Sequence, residues 1–410
     1  LILKKEFFTA RRQELLNRIP EGTAVFLFAG KERAMTQDTD YRFLPDRNFF
    51  YMTGLEYTCG KLILAKGFDG ATHELLFAPA HDELKERWHG KRQDFEELSE
   101  ISGIPIENII SLEEYDERAY EFINNYELMY DGTSISEENA KFMKAYEGAS
   151  DLGETLTLMR MKKTREEADA IARAAKLTED ALEEIKPLIR PGVTELELYT
   201  RLEYEMARRG SMIPAFETIV ANGTNAFYLH HSDPEREDGV LATDGSFIQF
   251  DVGARCDGYC ADISRVYFVG GEEDESDKRV KLLRLIEALR QEAWKIIRPG
   301  QTFAGLNARM REITGEFLLR EGLVNEGYTD DDVKRYYWHN TSHHLGLDVH
   351  DISDRELPFE EGNCLAVEPG VYIKEWGVGF RIEDDVYVTA DGCELLSSGL
   401  DSKESVFVRN

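Results

Sequence analysis

One segment of the chain occurs twice. IRPGVTELELYTRLEYEMARRG begins at Ile189, and IRPGQTFAGLNARMREITGEFLLREG begins at Ile297, 108 residues later. In each copy a helical pattern precedes the Arg-Pro-Gly breaker, a second helix opens at Thr194 or Thr302, and strand-like runs follow. Two copies are too few for a solenoid, in which at least three units must stack to bury a continuous core. The pattern instead predicts a duplicated α+β half that closes against its twin. Closure of that kind brings equivalent strands together at a pseudo-twofold, so side chains remote in sequence can meet there.

Upstream of the repeat the pattern differs. From Ala10 to about Asn139, short apolar runs (TAVFLF, KLILAK, HELLFA, LMYDG) alternate with helix-compatible stretches such as ARRQELLNRI and DFEELSEIS, as in an α/β unit. An amphipathic segment from Thr164 to Ile189 follows, opened by a Thr164–Glu167 capping box and carrying Ala168, Ile171, Ala175, Leu182 and Ile185 at helical spacing. The boundary therefore falls just before it, giving a two-domain α/β chain divided into residues 1–160 and 161–410. The acidic stretch GGEEDESDK, residues 270 to 278, reads as a solvated connection between the duplicated halves.

Charge narrows the choice of partner. The formal net charge is −30, from 79 acidic against 49 basic residues, which repels a phosphate backbone and excludes nucleic acid as the expected partner. No apolar run approaches the length of a membrane span, and the opening LILKKEFFTARRQ lacks the apolar stretch of an export signal. Five scattered cysteines make no disulfide framework. These features predict a protein of the reducing cytoplasm.

The stretch FDVGARCDGYCAD, residues 250 to 262, reads as a hairpin with an aspartate on each arm. If Asp251 and Asp262 pair directly, the turn centres between Cys256 and Asp257; if Asp257-Gly258 is the two-residue turn, Asp251 faces Ser264. Either register keeps both carboxylates on one face, where like charges about 5 Å apart oppose each other's ionisation unless a cation lies between them. Taken alone, the pair reads as a turn residue and a solvated strand residue. Two further acids change that reading. Glu368 ends the apolar run CLAVE before Pro369-Gly370, with nothing nearby in sequence to solvate it. In GFRIEDDVYVT, alternation puts Arg381, Glu383 and Asp385 opposite Ile382, Val386 and Val388, a stripe that alone reads as a solvated face. Both aspartates stand in the first half and both glutamates in the second, so closure of the repeat can bring the four together.

Six of the nine histidines fall in His230-His231 and in 339-HNTSHHLGLDVH-350, within the same region. His339 and His343 have the spacing of a zinc helix, but Asn340, Thr341 and Gly346 are poor helix formers, so the segment is expected to be irregular or extended. Cys256 and Cys260 lack a second pair at zinc spacing. A hard site of four acids and one histidine suits two divalent ions, with Mn, Co or Fe favoured over a thiolate-type zinc site although Zn is compatible. Two ions about 3.5 to 4 Å apart activate water and polarise the carbonyl it attacks, which is hydrolytic chemistry.

DVGARCDGYCAD, HNTSHHLGLDVHD, AVEPG and RIEDD, in that order within a duplicated half-chain, resemble the pita-bread metallopeptidases. RRQELLNRIPEGTAVFLFAG, DTDYRFLPDRNFFYMTGL and WHGKRQDFEELSEISGI resemble the N-terminal domain of the aminopeptidase P subgroup. The resemblance implies a creatinase-like α/β domain followed by a pita-bread catalytic domain. It implies that Asp251, Asp262, His343, Glu368 and Glu383 hold two metal ions, most readily Mn2+, and that Glu368 also handles the proton of the attacking water. His230 matches a histidine lining the substrate site. His339 and His350 match histidines that contact substrate and steady the tetrahedral intermediate, and Arg381 matches an active-site arginine. Arg355 matches an arginine of the pocket wall, although the stretch between His350 and Glu368 is shorter than in some relatives. Trp88 matches a tryptophan that in some relatives reaches a neighbouring subunit's active site, and a plain rim aromatic is the other reading.

The implied reaction removes the first residue from a peptide whose second residue is proline, in a homo-oligomer, dimeric or tetrameric. The alternatives are a prolidase restricted to Xaa-Pro dipeptides and a non-catalytic binding protein on the same fold.

Overall fold

The computed structural model describes residues 3–234, 242–270 and 274–400, together with the backbone strand Phe407–Val408. Within the predicted acidic connection, residues 271–273 lie outside the described residues. The chain divides into two compact units, Leu1–Met159 and Arg160–Asn410.

In the first unit the apolar runs form one mixed sheet in the order Ile109–Ser111, Thr72–Ala78, Lys61–Lys66, Thr23–Phe28, Glu127–Tyr130 and Ser150–Asp151. Thr23–Phe28 is buried along its whole length because it lies inside the sheet, antiparallel to Lys61–Lys66 and parallel to Glu127–Tyr130. Arg12, fully buried on the helix Lys5–Arg18, ties that helix to the rest of the unit. Its guanidinium donates to the carbonyls of Met52 and Ser102, each at 2.8 Å, and to Glu74 Oε2 at 2.9 Å. Neutralised and hydrogen-bonded, the buried charge is tolerated.

The second unit contains the duplication. Its first half has the helices Arg165–Ile185 and Glu195–Arg208 and a sheet ordered Phe407–Val408, Ile263–Val269, Phe247–Val252, Ile219–Asn222. The second half has the helices Lys278–Ile296 and Phe303–Arg320 and a sheet ordered Ser342–His344, Cys364–Val367, Asp384–Val388, Cys393–Leu395. Thr194 and Thr302 cap the second helix of each half, accepting from the amides of Glu197 and Gly305, and Thr164 with Glu167 forms the capping box at the start of the first helix. The helical stripe Ala168, Ile171, Ala175, Leu182 and Ile185 is buried throughout.

The hairpin adopts the register in which Ser264 faces Asp251. Asp257-Gly258 is the turn, with φ of 50° and 84°, between the paired residues Cys256 and Tyr259. Positive φ at both positions matches the right-handed twist of the arms, and aspartate tolerates that region better than most residues. Gly253 stands where a Cβ would lie 1.9 Å from the Ala261 carbonyl oxygen, so the arms close only over a glycine.

The two halves share an apolar cluster and are also joined by polar groups. Arg265 of the first half donates to the Glu383 carbonyl at 2.6 Å and to Asp384 Oδ1 at 2.7 Å; within the second half, Arg290 Nε reaches Asp384 Oδ2 at 2.9 Å. Burial alone would raise the Asp384 pKa, but the two guanidiniums hold it below the usual carboxylate range. The Asp262 amide donates to Asp385 Oδ2 at 3.1 Å, and the Glu383 amide to the Ser264 carbonyl at 3.1 Å.

A second buried ion cluster braces the histidine-bearing segment. Asp351 accepts from Lys163 Nζ at 2.7 Å and from Arg160 Nη2. Burial would raise its pKa, yet Arg160 and Lys163 outweigh it and hold the group at about 2. A folded-state value below the unfolded one contributes stability that is complete above roughly pH 4 and is lost as the pH falls toward 2. Asp351→Asn is expected to destabilise the protein by roughly 3–5 kcal/mol at pH 7, because it leaves two buried cations short of their anion. In wild type, the unfolding free energy measured between pH 5 and pH 2 should fall more steeply than in Asp351→Asn; parallel slopes would contradict the account.

Candidate metal centre and active site

Six strands bring the predicted acids and histidine together. Asp251 stands in the strand Phe247–Val252, Asp262 immediately before Ile263–Val269, and His343 in the extended strand Ser342–His344. Glu368 follows Cys364–Val367, and Glu383 lies between Val378–Arg381 and Asp384–Val388. Ligand atoms of Asp262, His343 and Glu383 lie within 4.8 Å of one another, the first from one half of the duplication and the other two from its twin. His343 Nε2 is 3.3 Å from Asp262 Oδ2, 3.7 Å from Glu368 Oε1 and 3.9 Å from Glu383 Oε1. Asp251 joins through Ser264, whose hydroxyl is 2.9 Å from Asp251 Oδ1 and 3.0 Å from Glu383 Oε2. One hydroxyl hydrogen serves only one of those carboxylates at a time.

These residues fit a divalent cation. Glu383 is 1% exposed, and its Oε1 accepts no hydrogen bond from any described group. Burial first, and then the neighbouring acids, push the pKa values of Asp262 and Glu383 well above the carboxylate range. Glu368 rises to about 7, raised by burial and then by Asp262 and Asp251 against the opposing His343 and Arg381. Carboxylates that burial and mutual repulsion disfavour as anions are those a bound cation would stabilise. Carboxylate oxygens from four acids and one imidazole nitrogen are also the donor types of a hard to borderline metal site.

All the residues singled out from the sequence, Trp88 excepted, line one cavity of about 410 Å³. His343 and His350 stack with ring centroids 3.9 Å apart. Burial, followed by the neighbouring cationic groups, lowers His339 and His350 to about 4, so both imidazoles are neutral at pH 7. His339 Nδ1 lies 3.5 Å from Glu368 Oε2, and its Nε2 lies 3.1 Å from the Tyr372 hydroxyl. Arg381, in the strand Val378–Arg381 of the second half, pairs with Asp251 Oδ2 of the first and also donates to the Leu229 carbonyl at 3.1 Å. His230 follows that carbonyl on the lining, and Arg355 donates to the Ser342 carbonyl at 3.1 Å. Trp88 is an exposed side chain of the first unit's helix Glu83–His89 and is not part of this lining.

The stripe Arg381, Glu383, Asp385 is not a solvated face. All three are at most 4% exposed and turn toward the first half, because closure of the repeat covers them. Three participants went unassigned in the sequence. Ser264 was visible as the partner of Asp251 in one hairpin register, but its second contact depends on closure. Asp385 holds the Asp262 amide, and its own pKa is pushed up by burial and by Asp262. Tyr372 carries no signal that separates it from the other tyrosines; its ring stacks on Trp338 at 4.6 Å, and burial pushes its hydroxyl up to about 12.

Comparison with known proteins agrees with this arrangement. The family described as metallopeptidase family M24 matches residues 169–390, and that described as the aminopeptidase P N-terminal domain matches residues 8–144. The Xaa-Pro aminopeptidase of Escherichia coli (strain K12) is 29% identical over 439 residues, covering 98% of this chain and 96% of that protein. Among solved structures, aminopeptidase P from E. coli with the inhibitor Pro-Leu superposes with a TM-score of 0.88 at 26% identity, covering 98% of this chain and 96% of the other. Proline aminopeptidase P II from Yersinia pestis also gives 0.88 at 26% identity, covering 98% of each chain. With an α/β first unit, a duplicated pita-bread second unit and a family match spanning more than half of its length, the chain belongs to metallopeptidase family M24.

Proposed function

We propose that this protein is a metal-dependent aminopeptidase that hydrolyses the bond between the first residue of a peptide and a proline at the second position. The observation that carries the reading is the meeting of Asp262, His343 and Glu383 from both halves in one cavity with Asp251 and Glu368. The substrate class is supported by full-length similarity to proteins named Xaa-Pro aminopeptidase. In this reading Asp251, Asp262, His343, Glu368 and Glu383 hold two divalent ions, Mn2+ first and Co2+, Fe2+ or Zn2+ as compatible alternatives. Bound there, the ions supply Lewis-acid polarisation of the scissile carbonyl and activate water at neutral pH.

The protein's own groups then have separable tasks. Glu368, with its carboxylate oxygens beside the His343 and His339 imidazoles in the cavity, is placed to take the proton of the attacking water and pass it to the leaving nitrogen. That transfer matters because the scissile nitrogen, proline's own and without hydrogen in the tertiary amide, leaves as a neutral amine only once it is protonated. Neutral His339 and His350 offer hydrogen bonds to the oxygen that gains charge, without competing for the ions by electrostatic repulsion. His230 and Arg355 form the substrate wall, and Arg381 orients Asp251. Trp88 is assigned to the rim of a site in a dimer or tetramer. The domain boundary is set at residues 160/161, and the compartment is the cytoplasm; none of the described helices is long and apolar enough to cross a membrane.

Peptide length separates this reading from a strict dipeptidase. With Mn2+ added, Ala-Pro-Ala should be cleaved efficiently to Ala and Pro-Ala; hydrolysis of Ala-Pro alone would identify a prolidase, and hydrolysis of neither would leave only a binding role.

Ligand substitutions test the assignment of residues. Asp251→Asn and His343→Ala should reduce Ala-Pro-Ala turnover to background, and full activity in either would refute the ligand set. Ser264→Ala, which removes the hydroxyl between two of the proposed ligands, should weaken metal affinity or activity by roughly 10–100-fold.

A further inference from the structure

Glu195 is buried with its side chain inaccessible to solvent, and nothing in the reading above uses it. It occupies the first position of the helix Glu195–Arg208, where the helix dipole favours negative charge. Its two oxygens point at the segment that follows the strand Ile219–Asn222. Oε1 accepts from the Asn222 amide at 2.6 Å and from Asn225 Nδ2 at 2.9 Å, and Oε2 lies 3.0 Å from His231 Nε2. One carboxylate thus grips a ten-residue segment at its start, its middle and its end.

Apolar burial holds that segment at few points. Ala226 is its buried apolar anchor beyond Asn222, while Tyr228 is 69% exposed and His230 is also exposed. Yet it delivers two groups to the reaction centre: the Leu229 carbonyl, which accepts from the arginine paired with Asp251, and the imidazole of His230 on the cavity wall. Phe227 adds contacts to Trp338 and Tyr372, with ring centroids 5.9 and 6.4 Å away. A loop with so little apolar burial keeps one conformation only if its polar groups are fixed elsewhere.

The geometry points to Glu195, acting with His231, as a positioning residue of the substrate site: a buried latch that sets the 222–231 segment and thereby the placement of His230 and Leu229. The inference rests on the proposed peptidase reading for its kinetic consequence, although the latch itself does not. Because none of the proposed metal ligands lies on this segment, loosening it should disturb substrate binding and leave the metal centre in place.

The test compares metal-loaded wild type with Glu195→Ala, Glu195→Gln and His231→Ala, measuring KM and kcat on Ala-Pro-Ala, bound metal, and amide hydrogen exchange across the second unit. Glu195→Ala should raise KM about tenfold while kcat changes by less than about threefold, since a buried donor loses its acceptor away from the reacting atoms. Exchange should accelerate in residues 222–231 and stay unchanged in the strands Phe247–Val252 and Ile263–Val269, with metal content retained. Glu195→Gln, which keeps acceptor oxygen for Asn222 and Asn225, should restore most of the KM. Unchanged exchange and KM in Glu195→Ala would overturn the latch, as would a uniform acceleration of exchange accompanied by metal loss. Should Glu195→Ala fail to fold, His231→Ala decides on the same readouts, a smaller KM rise with local exchange supporting the latch and no change in either overturning it. If wild type cleaves no Xaa-Pro peptide, the peptidase reading fails while the exchange measurements still judge the latch.

Discussion

Like charges forced together out of water set the terms for the second unit. Two carboxylates about 4 Å apart repel by roughly 4 kcal/mol at an effective dielectric of 20, before any cost of removing them from solvent. Asp251, Asp262, Glu368 and Glu383 share one cavity, and no helix or sheet propensity rewards putting them there. Part of the repulsion is met by protein groups: the Arg381 guanidinium on Asp251 and the Ser264 hydroxyl between Asp251 and Glu383. Burial first, and then the repulsion that remains, raise the pKa values of Asp262, Glu368 and Glu383, the state that a divalent cation would reverse.

The duplication explains how such a cluster can be built at all. Each half supplies helices and a sheet, and their apolar faces pack into one cluster drawn almost wholly from the first half and a second that Phe247, Val266 and Phe268 share with Val371, Phe380 and Val386 of the other half, so the acids need not supply the packing. Buried ion clusters away from the cavity hold the surrounding frame: Arg265 and Arg290 on Asp384, and Arg160 and Lys163 on Asp351. Each pairs an anion of the second half with at least one cation carried by another element. Truncating one partner of such a cluster costs more than the intact cluster contributes, because the remaining charge stays buried. On the first-half side of the cavity, the 222–231 segment is tied at three points by the single carboxylate of Glu195.

Much of this was legible in the amino-acid sequence, for identifiable reasons. The repeated Ile-Arg-Pro-Gly segments and their threonine caps fixed the helix starts, since capping is local chemistry. Poor helix formers between His339 and Gly346 correctly excluded a zinc helix in favour of an extended segment. The hairpin left two registers open, and the turn residues Asp257 and Gly258 settle them only once their positive φ values are known. Harder to read were contacts made through closure. The stripe Arg381, Glu383, Asp385 looks solvated in sequence because nothing local says that another half will cover it. Ser264, Tyr372 and Glu195 are ordinary residues whose importance lies in partners that fold over them from distant segments.

The central claim is that acids from two halves of a doubled fold enclose a pair of divalent ions. Equilibrium dialysis of the purified protein against Mn2+, followed by elemental analysis, tests it without reference to any substrate. The account predicts two tightly held ions per chain in wild type and loss of both or one in Glu383→Gln. Wild-type protein that retains no ion, or a Glu383→Gln variant that retains two, would contradict it.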